Sequence, residues 1–220
     1  MLLLTADTSG PEGSLALAKI SGDVIQDISE VHWVKKAMHS EVATLQLQTL
    51  LRDAHCEFSQ VTHLAVNIGP GSFTGLRVGV SLIRTYAYVQ SKPVALVNRL
   101  ELLAFNNTRP GEKIFLATKA VQNFYYAAGY ERIASSVIET VAPQSMVQSE
   151  IELHSKNHTK VLIEGTENGL VAETTAKNLV QLLAMESGIR HFSPWSEVKP
   201  LYIRGSEAEE KLKRGLLKPL

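Results

Sequence analysis

A glycine-rich segment at residues 69–79, with the sequence GPGSFTGLRVG, constrains the fold more than any other part of the chain. It follows an apolar run, Leu64–Ile68, that has the composition of a buried strand, and the periodic stretch after it is typical of a helix. Gly69 and Gly71 permit a tight turn, and Ser72 can cap the first amides of the helix. Such a helix N-terminus can hold an anion. No Gly-Lys-Ser/Thr follows, so this is not a Walker lysine loop, and a structural turn and a phosphate cradle both fit the sequence.

The helix predicted at about residues 72–90 has a wide apolar surface. On a helical wheel its apolar arc spans about 220°, roughly twice what one core-facing side requires. Its polar face is limited to Arg77, Ser81, Arg84 and Tyr88. One stripe of the apolar arc consists of Gly75, Gly79, Leu82 and Tyr86. The two glycines would let another backbone approach closely. A helix like this is either enclosed within its own chain or lends one side to a partner.

The preceding helix, predicted over Ser40–Ala54, also has more apolar surface than one core face needs. Its main stripe is expected to face the core. A weaker second stripe on the far side consists of Val42, Leu45 and Thr49. The two helices together therefore predict a surface for a protein partner.

Charge balance and cysteine content narrow the classes of function. The 220 residues contain 22 basic and 22 acidic side chains, so no global basic field indicates nucleic-acid binding. The single cysteine, Cys56, fits a reducing compartment. Residues 1–7 lack the basic region and cleavage site of a secretion signal, and no apolar run reaches the roughly 18 residues that a membrane span needs. We expect a cytoplasmic protein with no membrane partner.

The order of predicted elements suggests two units in tandem. Residues 1–107 form the first unit, residues 108–193 a second and reduced one, and residues 194–220 a tail that packs back on the first unit. In the second unit the predicted strands are Lys113–Ala117, Phe124–Glu131, Ser135–Val141 and Lys160–Ile163, and the predicted helices are Gln144–Leu153 and Thr174–Glu186. The tail is expected to contain a charged helix, Glu207–Arg214. Strand-strand-strand-helix-strand-helix thus appears twice, as a repeat of element order only.

Two tandem units opening on Asp7-Thr8-Ser9 resemble the actin-like ATPase superfamily in the order of their elements. More specifically, the segment 69–79 is similar to the signature of the bacterial TsaB (YeaZ) family. The motif Asp7-Thr8-Ser9, His39 at the start of the first helix and the segment 200–204 (PLYIR) support this resemblance. It implies an α/β, actin-like (ribonuclease H-like) fold in two subdomains, each a mixed sheet with flanking helices.

The resemblance also implies a function. Members of that family are non-catalytic subunits in the synthesis of threonylcarbamoyladenosine, the modified base beside the tRNA anticodon. They pair with a catalytic paralogue, TsaD, and a small ATPase, TsaE; alone, a homodimer is expected, and tRNA is reached only through the complex. The family's pairing surface is built from the first two helices of the first unit. Here the corresponding residues are Val42, Leu45, Thr49, Gly75, Gly79, Leu82 and Tyr86.

Nucleotide binding is a further expectation from the resemblance. The superfamily's first phosphate loop corresponds to Asp7-Thr8-Ser9, which with the glycine segment gives a candidate site for weak ATP or ADP binding, without a resident cofactor. The candidate residues are Asp7, Thr8, Ser9, Gly69, Gly71 and Ser72. The sequence departs from the family at two places: Lys119-Ala120-Val121 replaces the usual Asp-Ala-Arg, and Asn98-Arg99 replaces the usual Ser-Thr.

No catalytic residue and no metal site are predicted. The paralogue's His-x-x-x-His motif corresponds here to a stretch with Arg99 and Leu103 at the histidine positions. His154 and His158 have helical spacing but polar surroundings, and Cys56 beside His55 is poorly placed to share a proton. Ser72 does not lie in a Gly-x-Ser-x-Gly elbow. A glycoprotease-like peptidase is the alternative function from another class.

Overall fold

Two mixed β-sheets form the framework of the computed structural model, which describes residues 1–34, 39–166 and 173–203. The first sheet has the order β3-β2-β1-β4-β5 and the second the order β8-β7-β6-β9. The first sheet contains β1 (Leu2–Asp7), β2 (Glu12–Ser21), β3 (Val24–Val34), β4 (His63–Gly69) and β5 (Val94–Asn98). The second contains β6 (Lys113–Lys119), β7 (Tyr125–Arg132), β8 (Val137–Met146) and β9 (Lys160–Ile163).

The two sheets repeat one pairing pattern. In the first, β1 pairs antiparallel with β2 and parallel with β4; in the second, β6 pairs antiparallel with β7 and parallel with β9. Both central strands are nearly continuous buried runs, because both of their faces are covered. The predicted α/β arrangement of two mixed sheets with flanking helices is therefore confirmed. Within the described ranges, the second sheet has no counterpart of β5.

Among the residues that the structure describes, five α-helices cover these sheets. They are α1 (His39–Asp53), α2 (Phe73–Gln90), α3 (Arg99–Asn107), α4 (Gln148–Ser155) and α5 (Ala176–Met185). One core joins α1 and α2 to the outer face of the first sheet through residues such as Leu47, Val66 and Ile83. A second core contains residues of both sheets together with α3 and α5, for example Leu3, Leu116 and Leu179. Helix α5 belongs to the second unit but packs on β1–β4 of the first, and α3 belongs to the first unit but also contacts β6–β8 of the second. The two units therefore share a core.

The structure corrects the boundary between β8 and α4. The sequence predicted a strand ending at Val141 and a helix from Gln144, but the strand continues to Met146 and the helix begins at Gln148. The strand runs through Pro143 because β8 is an edge strand, where proline is tolerated since one row of amides needs no partner. The predicted helix Glu207–Arg214 lies outside the described residues, as do the side chains of His39 and Ser40.

The described part of the tail runs along the first unit. Val94 and Ser193 form an isolated antiparallel bridge, Val198 is fully buried in the core beneath α1 and α2, and the Leu201 amide donates to the Ile68 carbonyl oxygen at 2.8 Å. A short 3-10 turn, Trp195–Glu197, contacts α2. Among the described helices, none has both the length and the apolar character needed to cross a bilayer.

Candidate functional site

The loop that follows β1 is buried, and its polar groups bind one another. The Asp7 side chain is 1% exposed. Its Oδ1 accepts hydrogen bonds from the Ser9 amide at 2.9 Å and the Ser9 hydroxyl at 2.7 Å. Its Oδ2 accepts from Asn67 Nδ2 at 2.9 Å and from the Thr174 hydroxyl. Four donors from three other residues thus compensate the buried carboxylate, as burial of a charge requires.

The glycine segment, residues 69–79, is hydrogen-bonded to the loop that follows β1. The Ser72 amide donates to the Ser9 carbonyl oxygen at 2.9 Å, and the Gly69 amide donates to Asn67 Oδ1 at 2.9 Å. A Cβ at Gly71 would lie 2.5 Å from the Ser9 carbonyl oxygen, so only glycine fits. Ser72 is the N-cap of α2, and its hydroxyl oxygen accepts from the Gly75 amide at 3.2 Å. The structure therefore brings the six predicted phosphate-loop residues together.

Thr8 contacts both glycines of α2 and explains why one of them, Gly79, has no side chain. Its hydroxyl donates to the Gly75 carbonyl oxygen at 2.7 Å and accepts from the Gly79 amide at 3.1 Å. A Cβ at Gly79 would lie 2.3 Å from Thr8 Oγ1. The sequence predicted that Gly75 and Gly79 leave room for a partner's backbone. Both are buried, and the space beside Gly79 is taken by Thr8 of the same chain, so the prediction is corrected for Gly79. The physical reason is that the loop after β1 can approach the helix closely only where a side chain is missing, and a partner's backbone would require the same.

Arg99, the first residue of α3, lies close enough to both units to interact with charges of each. It is 9% exposed, and its Nη2 is 3.9 Å from the position that a Cβ on Gly10 would take. Burial lowers the pKa of this guanidinium, while the charges of Asp7 and Glu164 act in the opposite direction. Glu164 follows β9 and accepts a hydrogen bond from the Lys119 amide at 2.6 Å. The charge of Arg99 is therefore stabilised by carboxylates from both units.

Four backbone amides of this arrangement are not available to a nucleotide phosphate. A phosphate loop binds through free backbone amides, but the amides of Ser9, Gly69, Ser72 and Gly75 all donate within the chain. The Asp7 carboxylate would also repel an anion. We derive no step through a nucleotide at this loop.

The surroundings of His154, His158 and Cys56 do not indicate a metal site or an activated nucleophile. His158 Nδ1 lies 3.2 Å from the His154 carbonyl oxygen and its Nε2 3.2 Å from Thr140 Oγ1, and both rings lie against Phe115. Among the described residues, no group of three or more His, Cys, Asp or Glu side chains could hold a metal ion. Burial and the Glu57 charge raise the pKa of the Cys56 thiol, which is opposite to the shift that activates a nucleophile.

The remaining predicted interface residues line a strip that we call the helix seam: Val42, Leu45, Thr49, Leu82 and Tyr86. Leu45 is 60% exposed and the other four are half-buried. Tyr86 packs on Phe58 with ring centroids 4.3 Å apart, and Val42 and Leu82 pack on the core. The seam is therefore an apolar strip that the chain covers only in part.

Sequence reasoning missed three residues that complete the buried loop: Asn67, Arg99 and Thr174. Asn67 had a recognisable signal, because a polar residue inside an apolar strand needs a buried partner. Thr174 and Arg99 had none, since their positions depend on contacts between distant elements, such as the Thr174 hydroxyl with Asp7.

Two mixed sheets with the shared order described above, and helices between and outside them, define an actin-like (ribonuclease H-like) α/β protein. Comparisons with known proteins specify the family. The model of the family "TsaD: tRNA N6-adenosine threonylcarbamoyltransferase" matches residues 33–195. The tRNA threonylcarbamoyladenosine biosynthesis protein TsaB of Bacillus subtilis (strain 168) is 29% identical over 172 residues, covering 77% of this chain and 73% of that protein. TsaB of Haemophilus influenzae is 23% identical, covering 96% of this chain and 97% of that protein.

A solved structure agrees in fold. The crystal structure of an uncharacterized protein with similarity to peptidase YEAZ from Pseudomonas aeruginosa superposes with a TM-score of 0.74 at 19% identity, covering 92% of this chain and 99% of that one. The chain belongs to the TsaD-type threonylcarbamoyltransferase family and, within it, to the TsaB (YeaZ) branch.

Proposed function

We propose that this chain is a non-catalytic, activating subunit in the synthesis of tRNA threonylcarbamoyladenosine. Its partner is the catalytic paralogue of the TsaD type, which transfers the threonylcarbamoyl group to tRNA adenosine, and a small ATPase of the TsaE type joins the pair. Membership of the family supports the pathway, since its TsaB relatives are biosynthesis proteins for this base. The observation that carries the subunit role is the helix seam.

The seam has the composition that a helix partner needs. Apart from Thr49 it consists of aliphatic and aromatic side chains on two adjacent helices, and Leu45 projects from its α1 side with 60% of its surface exposed. An apolar strip of this kind gains free energy when another apolar helix face covers it. When the catalytic subunit is absent, a second copy of the chain can cover the seam in a symmetric homodimer.

The supporting role fits the chemistry of the chain. Arg99 and Leu103, at the positions of the paralogue's metal-binding histidines, are buried and provide no ligand for a hard or borderline cation. The glycoprotease-like alternative needs an activated nucleophile, and the raised pKa of Cys56 argues against that residue. Ser72, the other candidate, uses its hydroxyl oxygen as a helix cap.

A charge placed in the seam tests the proposal. Leu45→Glu should leave the chain folded, because the side chain is exposed, but should abolish co-purification with the catalytic subunit. Leu153→Glu is the matched control: Leu153 is 64% exposed on α4, away from the seam, and its substitution should not affect pairing. Circular dichroism verifies folding. If both variants co-purify equally well with the catalytic subunit, the interface does not include the helix seam.

A further inference from the structure

The exposed aromatic residues of the chain are concentrated on one face of α2. Four Phe, Tyr or Trp side chains are exposed in the described part of the chain, and all four lie there with two arginines. We call this set the aromatic–arginine face: Phe73, Arg77, Arg84, Tyr88, Trp195 and Tyr202. The α2 members follow helical spacing, and the tail brings the last two beside them. It lies on the polar side of α2, which is distinct from the helix seam.

The rings and cations of this face are arranged in two groups. In the first, the Arg77 guanidinium lies 4.0 Å from the Phe73 ring centroid, and Phe73 lies 5.3 Å from the Tyr202 ring. In the second, Tyr88 and Trp195 meet edge to face at 4.8 Å, and the Arg84 guanidinium lies 5.6 Å from the Trp195 ring. Each group thus presents a cation together with a partly exposed ring.

The charge of this face is positive. The sequence of α2 contains Arg77 and Arg84 and no acidic residue. Within the described ranges, neither arginine forms an ion pair, and the one recorded hydrogen bond is from Arg77 Nε to Tyr202 Oη at 3.4 Å. In the described tail, residues 194–203, the one acidic residue is Glu197, in the turn that contains Trp195, and the same segment contains the basic residue Lys199. The guanidinium groups therefore keep donors for an external anion.

We propose that the aromatic–arginine face binds tRNA, with the arginines on backbone phosphates and the exposed Tyr88 and Trp195 rings stacked on unpaired bases. Polyanion binding requires unpaired cations, and single-stranded segments of RNA bind by stacking on aromatic rings. The inference deepens the proposed function, on which it rests, because it assigns this subunit a direct contact with the substrate of the complex.

RNA fits this face better than a protein helix does. Arginine and aromatic residues are frequent in both kinds of interface, but the face presents cations that no carboxylate of the described chain neutralises. A protein partner would need matching acidic groups, whereas every nucleotide supplies a phosphate. The net charge of the chain is zero, so this local excess is not a consequence of general basicity.

The test measures the affinity of an unmodified tRNA transcript for the full chain and for its complex with the catalytic subunit. Fluorescence anisotropy at about 50 mM and 200 mM salt gives both affinity and salt dependence. The double variant Arg77→Ala/Arg84→Ala should reduce the slope of log K against log salt by roughly 1.4 to 1.8. Tyr88→Ala should weaken binding about fivefold or more, and Tyr88→Phe, which keeps the ring, should bind like the original chain. Arg109→Ala, which removes an exposed loop arginine, is the control.

Two results distinguish this inference from the proposed function. If the face variants bind tRNA as tightly as Arg109→Ala does, or if the unsubstituted chain and its complex bind none, the inference is wrong. Loss of pairing with the catalytic subunit in the face variants, at unchanged tRNA affinity, would instead make this face a protein interface. If the chain binds tRNA through this face but does not pair with the catalytic subunit, the proposed function fails and the inference stands.

Discussion

The loop after β1 and the loop after β6 occupy equivalent places in two sheets that share the order of four strands, but the polar groups of the two loops have different partners. In the first loop, Asp7 and Ser9 are almost fully buried and their side chains bond within the chain. In the second, residues 121–123 are exposed, and the loop lines an open groove of about 720 Å³. Its recorded backbone bonds are those of a hairpin, such as Ala120 amide to Phe124 carbonyl oxygen at 3.0 Å.

This difference indicates which loop should tolerate substitutions. Lys119 at the end of β6 and Val121 in the second loop are both exposed. In the first loop, each side chain of Asp7-Thr8-Ser9 has a structural partner. A loop that resembles a phosphate-binding loop thus connects β1 through hydrogen bonds to α2 and to the segment before α5.

The largest effect is expected from enlarging Gly79. Gly79→Leu places a side chain against Thr8 Oγ1, at a position where even a Cβ would be 2.3 Å away. We expect a loss of about 3 kcal/mol or more in the free energy of unfolding, measured with urea. Gly10→Ala, whose Cβ would meet its nearest neighbour at 3.9 Å, should change little. In a Thr8→Ala background the cost of Gly79→Ala should shrink; an unchanged cost would show that Thr8 is not the obstacle.

A smaller effect is expected from neutralising the buried carboxylate. Asp7→Asn turns one acceptor oxygen into a donor amide that faces other donors, so we expect a loss of about 2 kcal/mol in the free energy of unfolding. The reverse exchange in the exposed second loop, Asn123→Asp, should stay within about 0.5 kcal/mol. Equal effects in the two loops would remove the contrast between them.

The smallest effect concerns pH. His63 on β4 and His158 after α4 each have a pKa lowered mainly by burial, so the unfolded chain takes up their protons first as the pH falls. Their stabilising contribution is complete above the unfolded pKa of about 6.5 and declines below it. Urea unfolding at pH 7 and pH 5 should show a smaller decline for His63→Gln/His158→Gln than for the original chain. An identical decline would assign it to other groups.

Local patterns in the sequence were sufficient for much of the fold. The apolar run before Gly69 and the periodicity of α2 gave β4 and that helix, because strand and helix periods differ clearly. The strand predicted to end at Val141 was too short, since β8 continues through Pro143 to Met146. Only an edge strand tolerates proline in this way, and whether a strand lies at an edge is a property of the whole sheet. The interlocking of α3 and α5 between the sheets likewise depends on long-range packing.

The candidate site was predictable in its residue types but not in its contacts. The motif Asp7-Thr8-Ser9 and the glycine segment were identified, yet the sequence could not show whether their amides remain free. Gly79 illustrates the limit: a missing side chain indicates a close approach without naming what approaches. The aromatic–arginine face was not predicted, because Trp195 and Tyr202 reach α2 only through the fold of the tail.

The central claim is that this chain activates a catalytic partner through the helix seam. Its most direct test is threonylcarbamoyl transfer to tRNA by the purified catalytic subunit, measured alone, with this chain, and with Leu45→Glu or Leu153→Glu. We expect transfer to depend on the chain, to be lost with Leu45→Glu and to be retained with Leu153→Glu. Full transfer by the catalytic subunit alone, or equal support by both variants, would contradict the account.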